Sequence, residues 1–339
     1  MACPPRDAFQ IGWFCSLPIE AAAAAEMLDE RFGNFEEQDA ADTNTYTLGR
    51  IGEHNIAIAS PPRGNVNHSV NSIIVNMVRT FCSLRIGLMV GIGSGLPSAT
   101  HDIRLGDIVI GSPEGPYGGV IQYDMGKVTT DGLFERTELL NSPPKALLDA
   151  VNQLTANTLS GHSLYQAYLQ RAIGRNARTR ENFVPHDAQS DRLFQTKHNH
   201  PMEARTCDDC PAEWEEFRSE RYDSDPQFHY GIIASGNMII KNGKARDQLA
   251  ETTGALCYET ATAGLMEDFP CLVIRGICDY ADSHGYKSWA GYAALAAASY
   301  TKELLGCVPI SRVSQEGLAV DMCGKGCSIS FRIFKSPVS

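Results

Sequence analysis

Three acidic residues lie next to short apolar runs that are typical of buried strands. Asp279 comes just after the run Cys271 to Ile277 (CLVIRGI), Glu20 follows the run FQIGWFC at the start of an Ala-rich helix, and Glu259 follows LCY. In open α/β sheets, ligands bind outside the strand ends, where the loops begin. A partly desolvated carboxyl group there can have a raised pKa and act as a general acid or base. Together the three acids predict acid–base chemistry at one edge of a sheet.

Each acid also has a structural explanation that the residues alone leave open. Asp279 could cap a helix or pair with Arg275, and Asp is common in both roles. Glu20 could be placed by the helix macrodipole, which favours a carboxylate at a helix N-terminus. Glu259 could lie on the surface or begin a helix.

A glycine-rich turn, Gly91-Ile92-Gly93-Ser94-Gly95, follows another apolar run (RIGLMV). Its backbone N–H groups could bind an anion or a polar ligand. The turn has neither the G-x-G-x-x-G spacing of a dinucleotide site nor the lysine of a P-loop. Arg63, in the turn after the predicted strand Asn55 to Ser60, could hold a phosphate or carboxylate or simply face solvent.

Cysteine and histidine side chains raise the question of a metal. His198, His200, Cys207 and Cys210 form the pattern H-x-H-x6-C-x2-C, and all four are acceptable zinc ligands. The segment is very polar and has a single C-x2-C, so we predict no metal and no cofactor. Cys278 has apolar neighbours and is predicted to be an inert thiol rather than a nucleophile. The CGKGC near the C-terminus is interpreted as incidental.

Composition limits the class of protein. The chain has 339 residues and a formal net charge of -11, which argues against nucleic acid as a partner. We find no apolar stretch of about 18 residues that would cross a membrane and no signal peptide. Most of the eleven cysteines lie in apolar segments, which suits a reducing compartment. The expectation is a cytoplasmic protein.

Apolar runs that alternate with helical patterns predict an α/β fold with a mixed sheet covered by helices. The strands are expected at Phe9 to Cys15, Tyr46 to Ser60, Arg85 to Gly91, Ile103 to Gly111, His229 to Ser235 and Cys271 to Ile277, and the last helix at Tyr286 to Leu305. We predict one domain over residues 1–310, interrupted by a polar insertion at about 159–227. The insertion is expected to be a surface loop with some helix, and residues 311–339 an irregular tail.

Several motifs in order resemble the nucleoside phosphorylase/nucleosidase superfamily. They read F-x-I-G-W-F-C-x-L-P-I-E, N-T-Y-T-L-G-R-I-G-x-H-N-I, G-L-M-V-G-I-G-S-G, D-I-R-L-G-D-I-V-I, Y-G-I-I-A-S-G-N and F-P-C-L-V-I-R-G-I-C-D-Y-A-D. The likeness runs from about Phe9 to Leu305 and is strongest to a fungal branch similar to methylthioadenosine/adenosylhomocysteine nucleosidases. It implies a three-layer α/β/α sandwich around a twisted mixed sheet, and N-glycosidic bond chemistry on nucleosides.

The resemblance also implies roles for individual residues. Asp279 matches the acid that helps protonate the purine, and Glu20 matches the acid that positions or activates water in hydrolytic members. The residues that match substrate-binding positions are Gly91, Ile92 and Gly93 near the ribose or phosphate, Asn237, Met238 and Ile239 where the base is sandwiched, and Tyr258 and Glu259 beside the sugar.

One departure from the family pattern concerns the sugar. The family usually reads E-M-E where this chain reads Glu259-Thr260-Ala261, so Ala261 stands where a glutamate would clasp the ribose hydroxyls. Loss of that charge-assisted contact should weaken binding of ordinary ribonucleosides. Glu259 could take over the role by a small shift, the sugar could differ, or the pocket could serve another substrate.

The sequence as a whole predicts a nucleosidase that hydrolyses a purine nucleoside or nucleotide. Hydrolysis is preferred to phosphorolysis because Ile92 puts an apolar side chain where phosphate-using relatives often have a hydroxyl. One alternative is that the fold serves acid–base catalysis on another small molecule, such as a secondary-metabolite intermediate. Another is a non-catalytic nucleotide-sensing module. A homo-oligomer is expected, because it is common in the family.

Overall fold

The computed structural model describes residues 2–33, 35–61, 70–128, 130, 134–136, 140–184, 190–204, 206–260, 262, 266, 269–285 and 287–323. Strands within these ranges are β1 (Ile11–Phe14), β2 (Glu30–Arg31), β3 (Thr45–Ile51), β4 (His54–Ser60), β5 (Ile86–Gly95), β6 (Ile108–Gly111), β7 (Val120–Gln122), β8 (Gly126–Val128), β9 (Phe134–Arg136), β10 (Phe228–Gly231), β11 (Ile233–Ser235), β12 (Cys257–Glu259) and β13 (Cys271–Asp279). The α-helices are α1 (Pro18–Met27), α2 (Val70–Thr80), α3 (Lys145–Leu159), α4 (Tyr165–Ile173), α5 (Ala177–Phe183), α6 (Gly243–Thr253), α7 (Ala290–Gly306), α8 (Ile310–Val313) and α9 (Ala319–Cys323).

Eleven of these strands form one mixed sheet. Its main path runs β10-β6-β13-β5-β1-β4-β3-β2, and β7, β11 and β12 extend it beside the far end of β5. The pairs β13–β5, β5–β1 and β1–β4 are parallel, whereas β6–β13 and β3–β4 are antiparallel. The predicted mixed sheet is confirmed.

Helices cover both faces of the sheet, as the predicted three-layer sandwich requires. On one face α7 packs against β13 and β5, and on the other α2 packs against β1 and β4. The central strands therefore bury both faces, which explains why β13 is apolar almost throughout. Small residues allow α7 to approach closely, since a Cβ atom on Gly276 would lie only 1.9 Å from the Ala293 carbonyl oxygen. Among the described helices, none is long and apolar enough to span a membrane.

The polar insertion is more ordered than the sequence predicts. Helix α4 occupies most of the predicted helical part, and α5 is an additional helix. Further along, Phe194, Cys207 and Cys210 form a small buried cluster with Trp214 packed against it. These apolar residues are too widely spaced to produce a periodic pattern, so the description of this part as a surface loop is incomplete.

Ionic contacts attach the insertion to the sheet. Asp107, 1% exposed at the start of β6, accepts hydrogen bonds from the Arg221 guanidinium, each 2.7 Å long, and from the backbone N–H of Gln227. His229 Nε2 lies 2.9 Å from the same carboxylate. Burial opposes ionisation of Asp107, but the hydrogen bonds from Arg221 and His229 outweigh it and hold its pKa below the usual value.

The prediction of an irregular tail is wrong for residues 311–323. Helix α8 begins at Ile310 and continues into this range, and α9 lies within it. Val313 and Ala319 are buried against the core. The Ala319 N–H donates to the Leu84 carbonyl oxygen at 2.7 Å, just before β5. Each helix is shorter than two turns, so no amphipathic repeat could reveal it. Residues 324–339, with most of CGKGC, lie outside the described residues.

Candidate active site

The C-terminal end of β5, Gly91 to Gly95, is where two neighbouring strands bring the predicted site residues together. The prediction of a turn at Gly91 to Gly95 is wrong, because these residues continue the strand and pair with β13 and β12. On one side β13 places Arg275 opposite Gly91 and Asp279 opposite Ser94. Strand β12 pairs antiparallel with the same end of β5, so Tyr258 is also opposite Ser94. Because β13 already occupies one side of Ser94, β12 must occupy the other. Tyr258 and Asp279 therefore flank one residue at the strand end.

Glu20 reaches this strand end from the first turn of α1. Its Oε1 atom accepts a hydrogen bond from the Ile92 N–H at 2.9 Å, and its Oε2 atom accepts from the N–H groups of Ser16 and Leu17. The side chain is buried, and this burial raises the pKa of Glu20 even though Arg275 and the three backbone donors oppose the effect. A carboxylate oxygen has two lone-pair sites, so Oε1 retains one for a further donor such as water.

Gly91 allows the Glu20 carboxylate and the Arg275 guanidinium to lie directly against the strand. A Cβ atom on Gly91 would be 2.1 Å from Glu20 Oε1 and 2.7 Å from Arg275 Nη1, both far inside van der Waals contact. Any side chain at this position would push the two groups off the strand. Glycine is therefore required at position 91, because the side chains of Glu20 and Arg275 pack directly against the backbone there.

Arg275 and Glu259 form a buried ion pair beside this site. Arg275 Nη2 donates to Glu259 Oε2 at 2.6 Å and to Thr262 Oγ1 at 2.7 Å, while Glu259 Oε1 accepts from the Thr262 N–H at 2.9 Å. Arg275 and Glu259 are 1% and 5% exposed. Both oxygens of Glu259 are thus engaged within the protein.

Asp279 ends β13 and is partly exposed. Its Oδ1 atom accepts a hydrogen bond from the Ala281 N–H at 2.9 Å, which fixes the turn after the strand. Its Oδ2 atom lies 3.7 Å from the Cys278 thiol. Burial, together with the Asp279 charge, raises the pKa of Cys278 well above the usual value, which agrees with an inert thiol. The alternative that Asp279 pairs with Arg275 is wrong, because Arg275 pairs with Glu259.

The loop after β11 is tied to the same place by tyrosine hydroxyl groups. The Tyr258 hydroxyl donates to the Met238 carbonyl oxygen at 3.0 Å and accepts from the Ile240 N–H at 3.0 Å. The Tyr123 hydroxyl donates to the same carbonyl oxygen at 2.9 Å. The side chains of Met238 and Ile239 are 63% and 74% exposed, so apolar surface is available for a planar ring to pack against.

Most of the predicted site residues are brought together in this way. Those at the end of β5 are Glu20, Gly91, Ile92, Gly93, Tyr258, Glu259 and Asp279, and Asn237, Met238 and Ile239 join them through the Tyr258 hydroxyl. The Asn237 N–H donates to Asp124 at 2.7 Å. Arg63 and Ala261 lie outside the described residues.

The sequence does not predict that Arg275 and Thr262 bind the Glu259 carboxylate. A signal was present, because an arginine inside a fully apolar strand must be paired when it is buried. The choice of partner was wrong because it considered only acids near Arg275 in sequence.

A wide cleft of about 1190 Å³ lies elsewhere, between the insertion and α6. Its walls include Leu193, Phe217, Tyr230 and Arg246, and none of the three predicted acids lines it. Volume alone would favour the cleft, but the carboxylates and the glycine-rich strand end favour the end of β5.

The chain is similar to known proteins over most of its length. A family model of the phosphorylase superfamily matches residues 10–305. A nucleotide-binding leucine-rich repeat (NLR)-like protein of Hyaloscypha variabilis is 45% identical over 301 residues, which cover 88% of this chain and 29% of that protein. The chain thus spans less than a third of that relative.

Solved structures with a similar fold include bacterial enzymes. The 5'-methylthioadenosine/S-adenosylhomocysteine nucleosidase and the futalosine hydrolase of Helicobacter pylori each have a TM-score of 0.55 and 15% identity, covering 88% of this chain and 98% of theirs. The Neisseria meningitidis nucleosidase, in complex with methylthio-immucillin-A, has a TM-score of 0.53 and 14% identity, with coverage of 87% and 98%. At this identity the similarity concerns the fold.

Proposed function

Because the chain belongs to the phosphorylase superfamily, we propose that it hydrolyses the N-glycosidic bond of a purine nucleoside or nucleotide. The observation that carries the proposal is the placement of two acids along one strand end. The Glu20 carboxylate binds the Ile92 N–H, and Asp279 lies opposite Ser94. These strand positions are two residues apart, about 7 Å. We propose that one nucleoside lies between these two acids.

In the proposed reaction, the bond between the sugar C1' and the base nitrogen breaks, and its electron pair moves to the base. Asp279 donates a proton to the departing base. Water adds through its oxygen to the oxocarbenium-like carbon, and Glu20 accepts the proton that the water loses. The raised pKa of Glu20 suits a base, because proton transfer is most effective when the pKa is closer to the working pH. Proton exchange with solvent restores both carboxyl groups.

The base is proposed to pack against Met238 and Ile239, and the sugar to lie beside Tyr258. Glu259 is a poor candidate to clasp a sugar diol, because its two oxygens are held by Arg275 and Thr262. Its side chain would have to break a buried ion pair to reach the sugar. We therefore propose that this site discriminates little between a sugar with a 2'-hydroxyl and one without.

The direct test is release of free base from adenosine, inosine, guanosine, 5'-methylthioadenosine and ATP, with and without phosphate. We expect release without phosphate, and a loss of at least a hundredfold in Asp279→Asn and Glu20→Gln. Asp149→Asn is the matched control, since Asp149 is an exposed acid on α3 that pairs only with Lys145 among the described side chains. No release from any substrate by folded protein would refute the proposal, and release that depends on phosphate would refute hydrolysis.

A second test concerns the sugar. Adenosine and 2'-deoxyadenosine should have kcat/KM values within a few-fold of each other. Ala261→Glu should then favour adenosine by roughly 10- to 100-fold, because a hydrogen bond to a charged group contributes about 1.5–3 kcal/mol. A strong preference for adenosine in the unchanged protein would show that another group already clasps the diol.

Because both Glu259 oxygens are held by Arg275 and Thr262, a second candidate function is also favoured. In it, the same acids act on a different small molecule. In that case purine nucleosides would not bind, while Asp279→Asn would still abolish the true activity. A nucleotide-sensing module, the third candidate, would bind without turnover. Calorimetric titration with adenosine and ATP beside the base-release assay separates the three. A cytoplasmic location and a homo-oligomer remain proposals.

A further inference from the structure

Three potential metal ligands converge in the insertion. One ligand atom from each of His200, Cys207 and Cys210 lies within 4.8 Å of the other two. Around one tetrahedral zinc ion, donors at 2.0–2.3 Å from the metal are about 3.5 Å from one another. The three side chains therefore need to move by only about 1 Å to share a zinc ion.

The surroundings hold these side chains as a metal site requires. Cys207 and Cys210 are 3% and 5% exposed, and the Cys210 N–H donates to the Cys207 carbonyl oxygen at 3.0 Å, closing the C-x2-C turn. Arg192 donates to both of these residues' carbonyl oxygens, at 2.5 and 2.6 Å. Two thiols are thereby fixed side by side on a short, rigid turn.

His200 has the hydrogen bond that a metal-binding histidine usually makes. Its Nε2 atom lies 3.1 Å from the Thr206 carbonyl oxygen. A carbonyl oxygen only accepts, so Nε2 carries the proton and Nδ1 presents its lone pair. Ligating histidines commonly donate their other ring N–H to a backbone carbonyl in this way. The first histidine of the sequence pattern, His198, instead stacks flat on Trp214 with a centroid distance of 4.6 Å.

A fourth candidate ligand comes from beyond the insertion. His284 is 2% exposed, and neither ring nitrogen has a hydrogen-bond partner among the described residues; Nδ1 is 3.7 Å from Asp282 Oδ1. Its ring lies 5.5 Å from that of His200, between centroids, and stacks on Phe194. A buried imidazole without hydrogen bonds is costly unless something else satisfies it.

We propose that His200, Cys207, Cys210 and His284 bind a structural zinc ion. The ligand set is Cys2His2, which is typical of structural zinc sites with all four positions filled by protein. The ion would connect the insertion to the segment just after Asp279, where the His200 N–H already donates to Ser283 Oγ at 2.9 Å. The proposed function needs no metal, so this site can be tested apart from it.

The first test is metal content and ligand type in the full chain. Protein purified without an affinity tag should contain about one zinc ion per chain by plasma mass spectrometry. Exchange with Co²⁺ should give the visible bands of tetrahedral cobalt and a near-ultraviolet sulfur-to-cobalt charge-transfer band. Iodoacetamide should label Cys207 and Cys210 only after a chelator is added. Absence of zinc, or absence of the sulfur band, would overturn the proposal.

Variants identify the ligands. The double variant Cys207→Ser/Cys210→Ser should lose zinc at least tenfold, and His284→Ala should bind it more weakly. Cys82→Ser is the matched control, because Cys82 is an exposed cysteine far from the cluster in sequence, and it should keep its zinc. A Cys207–Cys210 disulfide, seen as a 2 Da lower mass in the non-reduced peptides, would overturn the proposal. If the double variant fails to fold, the alkylation result on the unchanged protein decides.

Discussion

Replacing Gly91 with alanine tests the geometry of the candidate site most directly. The added Cβ atom would lie 2.1 Å from Glu20 Oε1, 2.5 Å from Glu20 Cδ and 2.7 Å from Arg275 Nη1. These contacts have to open to about 3.2 Å, so the Glu20 carboxylate moves by about 1 Å. The hydrogen bond that it accepts from the Ile92 N–H is then lost.

The expected loss of stability follows from these two effects. Overpacking in a core costs about 1–3 kcal/mol, and a lost hydrogen bond to a charged group costs about 1.5–3 kcal/mol. We expect Gly91→Ala to lower the free energy of unfolding by about 3–5 kcal/mol in urea, followed by tryptophan fluorescence. In protein that remains folded, base release should fall by about a hundredfold, since a misplacement of 1 Å has that effect on catalysis.

Two other glycines provide matched controls. A Cβ atom on Gly93, two residues along the same strand, would meet the Tyr258 carbonyl oxygen at 3.2 Å, so Gly93→Ala should cost less than about 1.5 kcal/mol. Gly306 ends α7 with no atom within 4 Å of its added Cβ, so Gly306→Ala should leave stability unchanged or slightly raised. Equal stability of Gly91→Ala and Gly306→Ala would contradict the close packing of Glu20 and Arg275 against Gly91.

Three further predictions concern the buried charges. Glu259→Gln should lower the free energy of unfolding by about 3–5 kcal/mol, because it leaves Arg275 buried without its anionic partner; a loss below 1 kcal/mol in urea would contradict this. Glu20 must be ionised to act as a base, and its pKa is raised. As the pH is lowered, kcat/KM should therefore begin to fall while the pH is still above about 4.3, the usual pKa of a glutamate. An acid limb at or below that value, or one that persists in Glu20→Gln, would count against the role. Asp107, with its lowered pKa, should stabilise the fold above pH about 3.9, with that stability lost as the pH falls through its folded-state pKa. Asp107→Asn should flatten the pH dependence of urea unfolding below about pH 3.9, and an unchanged slope would argue against the Arg221 and His229 contacts.

The layered fold could be predicted because its central elements have strong local signals. Strand β13 is apolar on both faces, and α7 is long and rich in alanine, so both are recognisable without tertiary information. The two helices after residue 310 could not be predicted, since each is only four or five residues long. Their burial depends on contacts with distant residues such as Leu84.

The candidate site could be predicted in part. Asp279 and Glu20 were found because each follows an apolar run, and such runs end at the edge of a sheet. The pairing of Arg275 with Glu259 was not, because it depends on which strands lie on either side of β5. The order of strands in a sheet is a tertiary property, and the local sequence around Arg275 or Glu259 does not reveal it. The functional roles of these side chains remain predictions.

The proposed zinc ligands show the same limit. The insertion has one C-x2-C pair in a polar segment, and this pattern alone argues against a metal. The fourth proposed ligand, His284, follows the last strand of the sheet, far from Cys210 in the chain. A local pattern search cannot count a ligand that only the folded chain brings near.

The hydrogen bond between Ala319 and Leu84 attaches α9 to the start of β5. Leu84 precedes β5, whereas the candidate site is at the other end of this strand, and ten residues of β5 extend about 33 Å. Helix α9 and Asp279 are therefore at opposite ends of β5. The packing of α9 therefore stabilises the fold at a distance from the candidate acids.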